Sequence, residues 1–497
     1  VEEVVSIGTR GKPRSVSSSP VPVDVLSAED ISKTGTDDLL MQLQGSIPSL
    51  NVHLQPISDA ASMIRPANLR GLSADSTLIT TNGKRRHHAS VIAFQGGGVN
   101  DGSQGADISV IPAIALKRVE VLRDGASAQY GSDAIAGVIN FVLDDISEGG
   151  SLSYKMGEYT EGDGATSTIA GKFGMPLGQD GFVTTSFQIR QADDTSRSLQ
   201  RPDAAALIAA GNTAVANPAQ IWGAPKIDDD VTFFMNAGVT NSDGSESYMF
   251  GNYSERDVDG GFYYRNPDGR SGVFTIGDYR AVGNVDGTCA YGTGASGQVD
   301  PSNYVTRDAI MADPSCFLMN EIAPGGYTPR FVGTITDTSF TTGRRGEITD
   351  GFLSGYSFDV SGSVGRNEAD FGLNNTVNPS MGPDTPRNFT TGSYIELEKT
   401  FNFDLQKQFD SVSVAYGAEW REETFEVISG EEASWKAGKY ALQGFNVGSH
   451  GFAGFSPDSQ GSFTRRSYGL YADIENQVSD ELLLGGAFRY EDYSSFG

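Results

Sequence analysis

Cysteine is nearly missing from this 497-residue chain, which has two, along with four histidines and three tryptophans. No Cys-x-x-Cys pair occurs, so no familiar zinc spacing is present. Cations are scarce as well: Lys and Arg number 36 against 63 Asp and Glu, for a net charge of −27. That balance disfavours a nucleic-acid partner, whose phosphates call for a basic face. No stretch reaches the roughly 18–20 apolar residues of a membrane helix. A helical membrane protein is therefore excluded, but a membrane β-barrel is not, because its strands are apolar only at alternate positions. Enzyme signatures are missing too: there is no His-Glu-x-x-His, Gly-x-Ser-x-Gly or Walker A segment. Among 63 acids, chance carboxylate pairs say little about glycosidase chemistry. A non-enzyme without a cofactor is expected.

Glycine is plentiful at 62 residues and aromatics reach 10%. The length exceeds what one small core needs, so two or more structural units are expected. Val1-Glu2-Glu3 opens without the basic and apolar regions of an export signal, which reads as a cytosolic chain or a trimmed one. Cys289 and Cys316 lie in a loop rich in Gly, Asp and Pro. A disulfide closing that loop is expected rather than a metal site, and it implies an oxidising compartment.

Two regimes meet near Glu148-Gly149-Gly150. The first is mixed. Val21–Leu26 reads as a short strand, and Ser27-Ala28-Glu29-Asp30 has the form of a helix start. Thr36 is expected to cap a second short helix carrying Leu39, Leu40 and Leu43, with Gly45 ending it. Asn82-Gly83 between Thr77–Thr81 and Lys84 is a two-residue hairpin signal. Pro112 is expected to open a helical turn. Lys117–Arg123 and Gly137–Leu143 read as strands, giving a small α+β domain.

From about residue 150 the period is two. Tyr356, Phe358, Val360 and Val364 alternate with Ser357, Asp359, Ser361 and Ser363. Val412, Val414, Tyr416, Ala418 and Trp420 do so in the run from Ser411 to Arg421, as do Tyr468, Leu470, Ala472 and Ile474 further on. A sandwich would bury this apolar face against a second sheet; a membrane barrel would turn it to lipid. About eleven strands are expected, near 150–159, 165–175, 181–192, 231–239, 246–257, 331–345, 355–368, 390–407, 411–428, 465–478 and 482–494. Every second connection is a tight polar turn, at 178–181, 241–245, 349–354, 409–410 and 479–481. The others are long, at 193–230, 258–330, 369–389 and 429–464. Short turns at one end and long loops at the other match outer-membrane barrels. An open sheet leaves edge groups unpaired in lipid, so the expectation is a fragment lacking its closing strands.

The N-terminal region resembles the plug of TonB-dependent outer-membrane receptors. The resemblance rests on Asn68-Leu69-Arg70-Gly71-Leu72, on Thr77–Thr81 with Asn82-Gly83-Lys84-Arg85-Arg86, on Ile111-Pro112, and on the run from Lys117-Arg118-Val119-Glu120-Val121 through Gly131-Ser132-Asp133 to Asn140. It implies an α+β plug followed by a transmembrane antiparallel β-barrel, with about eleven of 22 strands present. The division is 1–20 (TonB box and flexible tether), 21–148 (plug) and 149–497 (N-terminal half of the barrel). It implies a Gram-negative outer-membrane receptor, monomeric, that binds a scarce substrate and imports it to the periplasm with energy from TonB, ExbB and ExbD. Ferric siderophores come first as substrate and oligosaccharides second. A soluble secreted β-rich carbohydrate-active enzyme or lectin is the alternative from another class.

The same resemblance assigns Glu3, Val4, Val5, Ser6 and Ile7 to the TonB box, a β-branched peptide suited to adding a strand to a partner's sheet edge. Ser6 and Ile7 depart from the commonest order. Arg70 and Arg123 match plug arginines that pair with barrel glutamates, for which Glu419 and Glu475 are the candidates. Arg86, His87, Phe94 and Asn100 are candidate substrate contacts, with Trp222, Tyr263, Tyr264, Tyr291, Trp435 and His450 on the outer loops. Gly96-Gly97-Gly98 lacks the features of a phosphate loop. His87-His88 lacks further ligands at a recognisable spacing, so no metal is assigned. Gly125, Gly131 and Gly137 read as turn and packing positions.

Overall fold

The computed structural model describes residues 4–5, 7, 14–16, 21–52, 59–93, 98–291, 299–479 and 481–495. Two bodies are nested in it. The inner one is built on a five-stranded sheet in the order Val23–Ser27, Leu116–Leu122, Gly137–Leu143, Thr77–Thr81, Lys84–Arg85. Only Thr77–Thr81 and Gly137–Leu143 run parallel; the other pairs are antiparallel. Val119, Val121, Val138, Ile139 and Phe141 are fully buried. Each such burial is worth roughly 1.5–3 kcal/mol. Barrel residues Phe234, Tyr248 and Phe250 join the same apolar cluster, so the plug's core continues into the wall.

The local expectations for the plug need two corrections. Ser27 does cap Ala28–Ser32, its hydroxyl accepting from the Asp30 N–H. Helix Leu39–Ser46, however, is capped by Asp38, whose carboxylate accepts from the Met41 N–H. Thr36 accepts from the Asp38 N–H instead, so it shapes the lead-in turn. Gly45 does not end the helix, which runs to Ser46 and stops at extended Ile47. Pro112 precedes a 3-10 turn at Ala113–Ala115.

The outer body is one antiparallel sheet of eleven strands, each bonded to its sequence neighbours. They are β1 Gly150–Gly157, β2 Thr166–Pro176, β3 Phe182–Ala192, β4 Lys226–Thr240, β5 Glu246–Gly260, β6 Arg330–Glu347, β7 Ser357–Asn374, β8 Phe389–Phe409, β9 Val412–Ser429, β10 Gly461–Ser479 and β11 Leu482–Tyr493. At ~3.4 Å per residue, the 21 residues of β8 reach ~70 Å, well beyond a ~30 Å hydrocarbon core. The outward positions are apolar and exposed, among them Phe233, Phe340, Phe401, Leu470 and Phe488. Their inward neighbours Thr232, Thr341, Thr400 and Asp473 are polar and buried against the plug. Among the described residues, no helix is long and apolar enough to cross a membrane.

The long connections gather at one end. Cys289 and Cys316 form a disulfide there, spanning 27 residues. Phe274, Phe317, Met319, Tyr327, Val377 and Tyr440 from three different loops make a core of their own. The outer loops are thus packed together as a cap.

Candidate functional site

The site grows from the Asn82-Gly83 hairpin. Both residues have positive φ, +49° and +78°, as a two-residue turn matched to strand twist demands. The turn sends five consecutive basic residues, Lys84 to His88, across the inner wall of the barrel. Each meets an acid. The Lys84 ammonium lies 3.0 Å from Asp359 on β7 and 3.6 Å from Asp404 on β8. Arg85 pairs with Asp133 of the plug and approaches Glu419 on β9 at 3.9 Å. Arg86 donates to Asp337 on β6 at 2.6 Å, and His87 Nε2 meets the other oxygen of that carboxylate at 2.9 Å. The His88 N–H donates to Glu398 on β8 at 2.7 Å.

Around His88 the rungs fuse into a network. Arg421 on β9 donates to Glu398 at 3.0 Å and to Glu423 at 2.8 Å, and its Nη2 sits 3.0 Å from His88 Nδ1. His88, Glu398 and Glu423 bring one ligand atom each within 4.8 Å of one another. The Arg421 guanidinium lies within 3.0 Å of all three, so a cation already fills the place a metal would take. Burial alone would lower the His88 imidazole, but Glu398 outweighs it and the net direction is up. Burial would raise the Asp133 carboxyl, but Arg85 and Arg421 hold it below the ordinary range. Removing one member of a buried pair costs about 3–5 kcal/mol, because the other charge is left uncompensated.

Backbone close approach makes the ladder fit. A Cβ on Gly365 of β7 would collide with the His87 ring. Asn367 on the same strand accepts from the Ser90 N–H at 2.8 Å and donates to Asp337 at 3.0 Å.

Several expected site residues lie elsewhere. Among the described residues, Arg70 and Arg123 pair inside the plug and not with Glu419 or Glu475. Arg123 donates to Asp24 at 3.1 Å, because the pairing of Val23 with Leu122 sets these side chains beside each other. Arg70 has φ +57°, bonds the Ala136 carbonyl at 3.3 Å and lies 3.9 Å from Asp124. Glu419 does take a guanidinium, from Arg489 at 3.0 Å. Glu475 faces the lumen, lining a cavity with Gln129 and Asp124 of the plug. Arg86 and His87 are buried structural rungs. Asn100 is fully buried and bonds Asn68 at 2.9 Å and the Ala74 N–H at 3.0 Å, so it braces a plug loop. Phe94, Glu3 and Ser6 lie outside the described residues. His450 is in the loop cap, with Tyr327 Oη at 2.9 Å from Nδ1 and Arg270 donating to Nε2 at 3.3 Å. Tyr291 packs near the disulfide, and the Trp435 indole N–H donates to the Gly430 carbonyl at 3.2 Å.

A family model for the TonB-dependent receptor plug domain matches residues 15–138. The chain carries the plug of a TonB-dependent receptor. It is 32% identical over 120 residues to the ferric enterobactin receptor of Pseudomonas aeruginosa, covering 24% of this chain and 16% of that one. It is 28% identical over 142 residues to the iron-regulated outer membrane virulence protein of Vibrio cholerae, covering 28% of this chain and 20% of that one. A crystal structure of the ferric enterobactin receptor of P. aeruginosa superposes with a TM-score of 0.58 at 16% identity, over 96% of this chain and 58% of that one. A copper transporter gives 0.53 at 13% identity, over 96% and 56%. The chain therefore spans little more than half the length of the structures it matches. The plug inside an antiparallel barrel sheet is the receptor fold, and the receptor belongs to the Gram-negative outer membrane.

The ladder was missed at sequence level because its barrel acids are 250 residues or more away in the chain. A signal was present: five successive basic residues in a chain of net charge −27, facing strands whose polar positions hold Asp337, Asp359, Glu398 and Asp404.

Proposed function

We propose that this receptor imports a scarce solute across the outer membrane, with the work of opening supplied from the periplasm by TonB, ExbB and ExbD. The observation that carries the reading is the buried basic ladder. Withdrawing the plug would part Lys84, Arg85, Arg86, His87 and His88 from carboxylates of the wall and open the apolar cluster shared with Phe234, Tyr248 and Phe250, which supports a plug that does not leave the lumen unaided. Moving it takes a partner that does work.

Residues 3–7 are the proposed handle for that partner. Val4–Val5 pairs antiparallel with Arg14–Ser15, which supports an extended segment able to exchange one strand partner for another. Ile7 is 2% exposed and packs with Val23, Leu78, Leu122 and Val138 of the plug. In this conformation Ile7 is tucked onto the plug. Cargo binding would favour its release only through differential affinity for the two states.

Ferric siderophores are the first cargo class to test, because the plug's relatives are named as ferric enterobactin and siderophore receptors. Cells carrying the full receptor should accumulate a panel of labelled ferric siderophores and oligosaccharides in a manner abolished by collapsing the inner-membrane proton gradient. Accumulation that survives the collapse would make the protein a passive pore.

A further inference from the structure

A cavity of about 450 Å3 lies between the plug and the wall, bounded by plug segments 36–41, 62–65 and 109–112 and by the loop-side halves of β3, β4 and β5. Its volume falls in the range of small-molecule sites. Met63, Ile111, Ile227 and Val258 give it apolar surface, and Trp222 and Tyr159 stand at its edge. Both rings are half or more exposed, Trp222 at 50% and Tyr159 at 59%. Tyr263 meets Trp222 edge-on with ring centroids 6.2 Å apart, steadying it.

The three arginines of the wall each face an acid. Arg65 pairs with Asp38, and Arg256 donates to Asp107 at 3.1 Å. Asp37 is held by Lys155 at 2.8 Å. Arg190 and Asp230 are 3.8 Å apart, a looser pair, and leave Arg190 Nε and Asp230 Oδ1 buried without a partner among the described residues. Asp230 itself is 3% exposed. The wall thus offers one donor and one acceptor, and its lining sets three arginines against four aspartates, a balance that does not favour an anion. The field of a chain at −27 also repels anions.

We infer that this cavity binds a neutral, hydroxyl-rich ring, the chemistry of an oligosaccharide. A ring's C–H face lies on Trp222 while adjacent hydroxyls, each both donor and acceptor, satisfy Arg190 and Asp230. A triply anionic iron–catecholate complex would meet the carboxylates of Asp37, Asp38, Asp193 and Asp230 against three arginines that already face acids. The inference rests on the import reading for its biological meaning, but binding needs no energy source, so the two fail separately.

The test uses the full receptor in outer-membrane vesicles and reads tryptophan fluorescence. The probes are neutral malto-, xylo- and cello-oligosaccharides, an anionic ferric triscatecholate and a neutral ferric trihydroxamate. At least one sugar series is expected to bind at or below millimolar concentration, with affinity falling about tenfold or more in Asp230→Asn and in Trp222→Ala. Folding of each variant is checked by heat-modifiable mobility on gels. Binding of either iron complex with that same dependence, binding by none of the sugars, or sugar binding indifferent to both substitutions overturns the assignment. Sugar binding without energy-dependent uptake would leave the cavity standing and remove the import reading.

Discussion

Asp337→Asn is the perturbation that weighs the plug's attachment most cleanly. The wild-type carboxylate accepts four bonds: Arg86 at 2.6 Å, Asn252 at 2.9 Å, His87 at 2.9 Å and Asn367 at 3.0 Å. It is 1% exposed and Arg86 is 7% exposed. The amide keeps the shape, removes the charge and turns one acceptor into a donor facing donors. The amide oxygen still offers Arg86 an acceptor, beside the 3.3 Å bond to Asn252, but the guanidinium loses the charge of its carboxylate partner. Leaving a buried guanidinium uncompensated costs about 3–5 kcal/mol, against the 0–1 kcal/mol of a solvated pair. The assay is urea-induced plug release in the detergent-solubilised receptor, reported by a fluorophore at Leu72→Cys. Both cysteines of this chain are tied up in the disulfide, so neither competes for the label. The midpoint shift multiplied by the slope gives the loss. The double variant Arg86→Met with Asp337→Leu should recover only the charge part of the loss, since His87, Asn252 and Asn367 still lack the carboxylate they face. A loss under about 1 kcal/mol would refute the reasoning, because the ladder would then behave as a solvated surface pair.

Three further outcomes are expected. Burial, followed by Arg265 and Arg270, lowers the His450 imidazole to about 3. A depressed histidine contributes stability that is complete above its unfolded value of ~6.5 and is lost as pH falls. At about pH 5 the loop cap should lose roughly 2 kcal/mol. Protease nicking between residues 430 and 460 should then rise, and His450→Gln should flatten that pH response. Reducing the Cys289–Cys316 disulfide, which closes 27 residues, should cost the cap roughly 3–4 kcal/mol and speed hydrogen exchange there while leaving the plug unchanged. Phe401→Arg places a cation on the exposed outer face of β8 and should cost about 2–4 kcal/mol at mid-membrane depth; a pulse-labelled assembly assay would show slowed membrane insertion, whereas equal insertion would contradict the lipid-facing assignment.

Much of the fold was legible because barrel strands report their own pattern. Alternation at Tyr468, Leu470, Ala472 and Ile474 places β10 and its faces without any tertiary information, and Ser479-Asp480-Glu481 marks its turn. The Asn82-Gly83 hairpin was readable for the same reason: two residues determine the turn. Capping was less so. Thr36 and Asp38 are both good caps, and only the backbone path decides between them. The site was the least legible part. Arg70 and Arg123 stood out by resemblance, yet their partners Asp124 and Asp24 come from plug register. Arg86 and His88 find Asp337 and Glu398 across the chain, where no local rule reaches. The cavity beside Trp222 joins segments more than 200 residues apart, and only its aromatic edge had a sequence signal.

The central claim is that cargo moves only when TonB pulls the plug through the N-terminal segment. Its most direct measurement compares uptake and surface binding of labelled cargo in cells carrying the full receptor with Val5 intact or replaced by Pro. Proline removes one backbone donor from the strand that TonB would add to. The account predicts cargo still bound at the surface and uptake lost; uptake that continues at the wild-type rate through Val5→Pro would contradict it.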